Sequence, residues 1–112
     1  MLETIKSSAD ITRVFSQGKR FGRGSNMLLV LEREEQHGSI GRVAFVAGKK
    51  LGNAVWRNRA KRRMRAACQQ LQMEWPGYDV VFIANRHTAD LDFAKLVDGY
   101  RKTLGQAGLK AE

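Results

Sequence analysis

Apolar residues follow two spacings along the chain, and each spacing predicts one kind of element. Helical spacing predicts helices over residues 8–17, 54–73 and 90–104, and short apolar runs predict strands over 27–31, 40–47 and 78–84. Ser7 or Ser8 can cap the first helix, and Gly18 can stop it. Trp75, Pro76 and Gly77 end the second helical stretch, because proline and glycine do not continue a helix.

The element order is α-β-β-α-β-α, which predicts a single-domain α+β sandwich in which helices cover a small central sheet. Residues 33–38 form a polar segment between the first two strands, so we expect these strands to pair as a hairpin. Residues 21–24 are loop-like. A chain of 112 residues is one domain, which we assign to residues 1–112.

The composition excludes several classes of site. Cys68 is the single cysteine, which excludes an internal disulfide and a thiolate cluster for zinc. His37 and His87 have no metal-ligand spacing, so no metal site is expected. The N-terminal region lacks the apolar core of a signal peptide, and no apolar run approaches the length of a membrane span. The sequence therefore predicts a cytoplasmic protein.

The charge is concentrated in one segment. The chain carries 20 basic and 11 acidic residues, a net charge of +9, and no acid occurs between Gln36 and Met73. A local excess of this kind produces a field that a polyanion would feel. The basic residues of the segment are Arg42, Lys49, Lys50, Arg57, Arg59, Lys61, Arg62, Arg63 and Arg65.

On a helical wheel, the second helix separates into an apolar stripe and a cationic face. The stripe contains Trp56, Ala60, Met64, Ala67, Leu71 and Trp75. The outer face carries Arg57, Asn58, Arg59, Lys61, Arg62 and Arg65, and Arg63 falls beside the stripe, where its stem can be covered.

A solvated helix face is the simplest interpretation of these charges, but such faces usually mix signs. Here Arg57, Lys61 and Arg65 follow one another at four-residue intervals without an acid, and neighbouring like charges oppose helix formation. A partner that supplies negative charge is the better explanation. Arginine suits phosphate oxygens, Asn53 can cap the helix next to its free N–H groups, and Lys49 and Lys50 precede it.

The residues specify no active site of their own. The acidic residues form no cluster, and His87 reads as a surface histidine. Three alternatives remain open from the residues: an RNA-binding module of the ribosomal type, a DNA-binding regulator and a free-standing ribonuclease. The basic helix lacks a helix-turn-helix partner, which weighs against the regulator.

The segment KKLGNAVWRNRAKRRMR, residues 49–65, resembles the signature of the protein subunit of bacterial ribonuclease P. The resemblance covers roughly residues 5–105. It implies a protein that binds a large catalytic RNA and assists endonucleolytic removal of the 5′ leader from precursor tRNA. It also implies that hydrolysis occurs on the RNA with Mg²⁺, and that the β-α-β crossover is left-handed, against the general rule.

The resemblance also implies two sets of site residues. The catalytic RNA would be bound by Lys49, Lys50, Asn53, Arg57, Asn58, Arg59, Lys61, Arg62 and Arg65. The precursor-tRNA leader would lie in a cleft between the first helix and the sheet, lined by Ile11, Phe15, Leu29, Ala44, Val46 and Arg86.

Phe15 could stack on a base or belong to the core, and the sequence leaves both open. In the second strand, Val43, Phe45 and Ala47 form a bulky face suited to the core, and the intervening residues form a leaner face suited to the cleft. Many relatives have an aromatic residue where this chain has Ile11 and a basic residue where it has Asn85. Both differences predict weaker leader contacts.

The partners expected from the resemblance are the catalytic RNA and precursor tRNA. No membrane, DNA or protein-bound metal partner is expected, and we expect the protein alone to be monomeric.

Overall fold

A five-stranded sheet lies between one short helix and two longer helices in the computed structural model, which describes residues 2–33 and 40–109. The strands are β1 (Glu3–Thr4), β2 (Lys19–Phe21), β3 (Leu28–Glu32), β4 (Arg42–Val46) and β5 (Tyr78–Ile83). The helices are α1 (Ser8–Gln17), α2 (Ala54–Leu71) and α3 (Phe93–Gln106). Turns of 3₁₀ helix at Gly24–Asn26 and Lys49–Leu51 precede β3 and α2. The predicted α+β class is confirmed.

The predicted hairpin of β3 and β4 is wrong, because β5 lies between them. The strand order is β1-β4-β5-β3-β2, with β5 antiparallel to β3 and parallel to β4. β5 is buried from Asp79 to Phe82, and a strand covered on both faces belongs at the centre of a sheet. The polar segment predicted between β3 and β4 lies, apart from Arg33, outside the described residues.

The two edge strands were not predicted, because each is too short to show an alternating pattern. β1 has two residues beside β4, and β2 occupies part of the region that the sequence indicated as a loop. The ends of α1 and the start of α2 were predicted closely, whereas α3 begins at Phe93, three residues later than predicted. Ser7 caps α1 through Asp10 N, and Gly18 ends it. α2 ends at Leu71, two residues early, because Gln72 adopts a left-handed conformation with φ 52°.

The alternation predicted for β4 is confirmed, because its two faces pack against different helices. Val43 and Phe45 contact the main core beneath α2 and α3, together with Phe82. Ala44 and Val46 belong to a smaller apolar cluster on the opposite face. That cluster also contains Ile5, Ile11, Val14, Leu29, Leu31, Val81 and Ile83. The sheet is therefore covered on both faces, by α1 on one and by α2 and α3 on the other.

An ionic cluster ties α1 to the start of β4 and β5. The Asp79 carboxylate, 2% exposed, accepts hydrogen bonds from Arg42 Nε at 2.8 Å and Arg42 Nη2 at 2.7 Å, and another from Arg33. Arg42 Nη1 also donates to Asp10 Oδ2 at 3.1 Å. Burial alone would raise the pKa of Asp79, but the hydrogen bonds and charges of the two arginines outweigh it and hold that pKa below its usual value.

We expect Gly99→Ala in α3 to destabilise the fold. A Cβ at Gly99 would overlap the side-chain amide of Asn26, which now donates to Leu96 O at 3.2 Å. Overpacking of this kind costs about 1–3 kcal/mol. The matched change Gly105→Ala on the same helix meets open space, so it should stabilise the helix by about 0.5–1 kcal/mol. Urea unfolding of both variants checks the prediction, and equal effects would contradict it.

No helix within residues 2–33 and 40–109 is long and apolar enough to cross a membrane.

Candidate RNA interface

The cationic helix starts at a cap that holds its first turn in place. Asn53 is the N-cap, as predicted, and its Oδ1 accepts a hydrogen bond from Trp56 N at 2.9 Å. The 3₁₀ turn Lys49–Leu51 leads into the cap, and both of its lysines are exposed. Backbone N–H groups at the start of α2 and two lysine ammonium groups are thus presented together, an arrangement that attracts anions.

A basic groove runs along the outer face of α2. We use this name for the open groove of about 410 Å³ lined by Val55, Asn58, Lys61, Arg62 and Arg65. Three of its five residues carry positive charge and none is acidic. The four polar residues were all predicted from sequence to bind RNA. The structure therefore brings a central part of the predicted set onto one continuous surface.

Arg57 borders this surface with an unsatisfied donor. Its Nε atom is buried and has no hydrogen-bond partner among the described residues. A buried donor without a partner costs free energy, and because the atom is buried it is not itself presented to a ligand. Arg59 differs, since its Nη1 lies 3.8 Å from Asp90 Oδ1 in an exposed ion pair. A pair of this kind is weak and can open to a stronger anion.

Arg63 turns inward, which confirms its predicted place beside the apolar stripe. Its Nη1 donates to Thr88 O at 2.8 Å, its Nη2 donates to Leu91 O, and its guanidinium group lies 5.8 Å from the centre of the Phe93 ring. Arg63 therefore fixes the segment between β5 and α3 to the basic helix.

Asn85 organises the segment that follows β5. Its Oδ1 accepts hydrogen bonds from Ser25 Oγ at 2.9 Å, His87 N at 2.9 Å and Thr88 Oγ1 at 3.3 Å. The Thr88 hydroxyl in turn accepts from Asn85 N at 2.9 Å. The sequence indicated Asn85 only as a position where many relatives carry a basic residue. The sequence signal for its structural role is the Asn-x-x-Thr spacing, which is typical of side-chain-stabilised turns.

Positively charged residues from separate segments follow the carboxyl ends of two neighbouring strands. β4 and β5 run parallel, with Val46 opposite Ile83, so their carboxyl ends lie together. Lys49 and Lys50 follow the first of these ends, and the exposed Arg86 follows the second. The predicted RNA-binding and leader-binding cations therefore lie at the same end of the sheet, where α2 begins.

The predicted leader cleft is an apolar surface between α1 and the sheet. Ile11 and Val46 are half-buried and belong to the same cluster as Leu29 and Ala44, which are buried. Leu29 and Ala44 thus form a floor rather than an exposed wall. Phe15 is 47% exposed, which decides the question left open by the sequence: it is a surface aromatic on α1 and not a core residue.

Cys68 is not presented as a reactive thiol. Cys68 is buried, and burial raises the pKa of its thiol to about 12, so it is a structural residue. Within the described ranges, no three histidine, cysteine or acidic side chains are grouped so that they could hold a metal ion.

Comparison with known proteins gives consistent matches. A sequence model of the family described as Ribonuclease P matches residues 2–108. The chain is 38% identical to the ribonuclease P protein component of Symbiobacterium thermophilum, over 94% of this chain and 90% of that protein. It is 36% identical to the ribonuclease P protein component of Gluconacetobacter diazotrophicus, over 95% of this chain and 91% of that protein. The solved RNase P protein of Staphylococcus aureus superposes with a TM-score of 0.76 at 25% identity, covering 95% of both chains.

Proposed function

The chain belongs to the ribonuclease P protein family, and we propose that it binds the catalytic RNA of that enzyme through the basic groove on α2. It is the protein subunit of ribonuclease P, a ribonucleoprotein endoribonuclease that processes tRNA. The ribonuclease P RNA is its partner.

One observation carries the assignment of the RNA contact: the basic groove contains three cations and no carboxylate. Phosphate oxygens supply the missing negative charge, and RNA presents them in a regular array. We assign the contact to Lys49, Lys50, Asn53, Arg57, Asn58, Arg59, Lys61, Arg62 and Arg65.

Binding to a ribonuclease P RNA transcript at several salt concentrations tests this assignment. Because each neutralised phosphate releases counterions, the logarithm of the association constant should fall linearly and steeply with the logarithm of salt concentration. A structured RNA of equal length and unrelated sequence is the control. Equal affinity for both RNAs would contradict recognition of the catalytic RNA.

We propose that the leader of precursor tRNA lies on the surface formed by Ile11, Phe15, Val46 and the buried floor of Leu29 and Ala44, with Arg86 at its end. The exposed ring of Phe15 can stack on an unpaired base, and Arg86, Lys49 and Lys50 can contact the adjoining phosphates. A single-stranded leader satisfies both requirements, since its bases are free to stack.

Phe15→Ala should weaken binding of precursor tRNA to the holoenzyme about tenfold, because stacking on an aromatic side chain contributes about 1–3 kcal/mol per base. Binding of mature tRNA, which has no leader, should not change. Phe15→Tyr keeps the ring and should retain wild-type affinity. Equal losses for precursor and mature tRNA would contradict the leader assignment.

Mg²⁺ is the metal that the family implies, and the side chains described above do not fit a protein-held site for it. We place the ion and the hydrolytic step on the RNA, in the cytoplasm. The protein's own contribution is positional: α2 holds the catalytic RNA, and α1 with the sheet edge holds the leader. Neutralising phosphates of the catalytic RNA and of the leader reduces the electrostatic repulsion between these two RNAs.

A further inference from the structure

A second cavity adjoins the basic groove at Arg65, which lines both. It has a volume of about 560 Å³ and lies between the C-terminal half of α2 and the β1–β4 edge of the sheet. It is separate from the leader surface, because Val43 and Phe45 face away from Ala44 and Val46. Val43, Phe45 and Met73 give it an apolar floor, and Arg65, Gln69 and Gln72 give it a polar rim.

The rim differs chemically from the basic groove. Arg65 and Gln69 lie four residues apart on one side of α2, Gln72 caps the end of that helix, and two of the three are neutral amides. An amide side chain offers both donors and an acceptor, and it matches the hydrogen-bonding edge of a base. Glu74 also lines the cavity, so its lining carries less net positive charge than that of the basic groove. Its lining therefore suits a neutral planar group with donors and acceptors.

Arg65 provides the stacking surface for such a group. Its guanidinium carbon lies 5.4 Å from the centre of the half-buried Phe45 ring. A planar guanidinium that rests on an aromatic ring can present its other face to a base.

Gln72 provides the second distinctive feature of the rim. It is the one non-glycine residue with a positive φ in the described part of the chain. Glycine is favoured at a helix end of this geometry, because it adopts the left-handed conformation without strain. The chain instead carries a long amide side chain there, beside the cavity.

We propose that this cavity receives the base of one unpaired nucleotide of the catalytic RNA. The base stacks on the face of the Arg65 guanidinium group and hydrogen-bonds to Gln69 and Gln72. The N–H edge of Arg65 and the rest of the basic groove contact the neighbouring phosphates of the same strand. The inference rests on the proposed function and gives the RNA contact a base-reading element that the cationic face lacks.

The test uses the double variant Gln69→Ala, Gln72→Gly in the full chain. Glycine at position 72 relieves the left-handed conformation, so the unfolding temperature should stay at or above that of the wild type. The catalytic RNA transcript is treated with dimethyl sulfate and a carbodiimide, which modify the pairing edges of unpaired bases. The wild-type chain should protect one unpaired nucleotide that the double variant at saturating concentration leaves reactive. The dissociation constant should rise about tenfold, with an unchanged salt slope.

The two proposals fail in different ways. If the double variant binds with wild-type affinity and an identical protection pattern, while Arg62→Ala still weakens binding, the base site is wrong and the basic groove stands. If the wild-type chain does not bind the RNA at all, the proposed function is overturned and the base site with it.

Discussion

Replacing both Arg62 and Arg65 with alanine should weaken binding of the chain to the ribonuclease P RNA about 100-fold. Both side chains are exposed in the basic groove, and neither has an acidic partner among the described residues. A hydrogen bond to a charged group contributes about 1.5–3 kcal/mol, so two lost phosphate contacts account for this decrease. The slope of log affinity against log salt should become shallower by about 2, one for each contact.

The stability of that variant separates a binding defect from a folding defect. Arg62 lies three residues before Arg65, and Lys61 lies four residues before it, so both neighbours repel Arg65. Alanine has high helix propensity and removes this repulsion, so the unfolding free energy should stay constant or rise slightly. The charge-matched control is Lys95→Ala, Arg101→Ala on α3, where each of the two residues lies three positions from Asp98. An equal loss of affinity in the control would show that only total charge matters.

Asp79→Asn should destabilise the fold by about 3 kcal/mol or more. The buried carboxylate is shared by Arg33 and Arg42, and removing one member of a buried ion pair leaves an uncompensated charge. The loss should appear in urea unfolding at neutral pH. Asp10→Asn is the matched control, because Asp10 also contacts Arg42 but its side chain is 26% exposed. It should cost about 1 kcal/mol or less.

The contribution of Asp79 to the free energy of unfolding should decrease as the pH falls. Its pKa is lower in the folded than in the unfolded state, so the unfolded state binds more protons between the two values. The stabilisation is complete above the ordinary aspartate pKa of about 4 and is lost as the pH falls through the lower folded-state pKa. The difference in unfolding free energy between wild type and Asp79→Asn should therefore become smaller in acid. A difference that is constant from pH 7 to pH 2 would contradict this account.

Local signals predicted the helices of this fold well. Ser7, Gly18 and Asn53 act in the structure as the sequence predicted, because a cap depends only on its own few residues. The apolar stripe of α2 was equally readable, and Ala60, Met64, Ala67 and Leu71 are all buried in the main core. The residues of α2 outside this stripe then form the predicted cationic face.

Strand pairing was not accessible in the same way. β3 and β4 are consecutive, and the sequence favoured a hairpin, but β5 from 32 residues beyond β4 inserts between them. Which strand takes the centre depends on the burial of both faces of β5, a property of the assembled sheet. The hand of the β4-α2-β5 crossover came only from the family resemblance, since the general rule predicts the opposite.

The sequence predicted the charged residues of the candidate site, but it did not predict the tertiary contacts that position the other residues. Spacing alone placed Lys61, Arg62 and Arg65 on one surface, because a helix fixes those relations. It gave no sign that Asn85 contacts Ser25, because that hydrogen bond joins segments 60 residues apart. The position of Phe15 likewise depends on how α1 lies across the sheet, which tertiary packing decides.

The most direct test of the central claim is cleavage of precursor tRNA by the ribonuclease P RNA at low Mg²⁺, with the protein added. Wild-type protein and the Lys95→Ala, Arg101→Ala control should both restore cleavage at the mature 5′ end. The Arg62→Ala, Arg65→Ala protein should require about 100-fold more protein for the same rate. If that variant restores cleavage at the wild-type concentration, the basic groove does not bind the catalytic RNA.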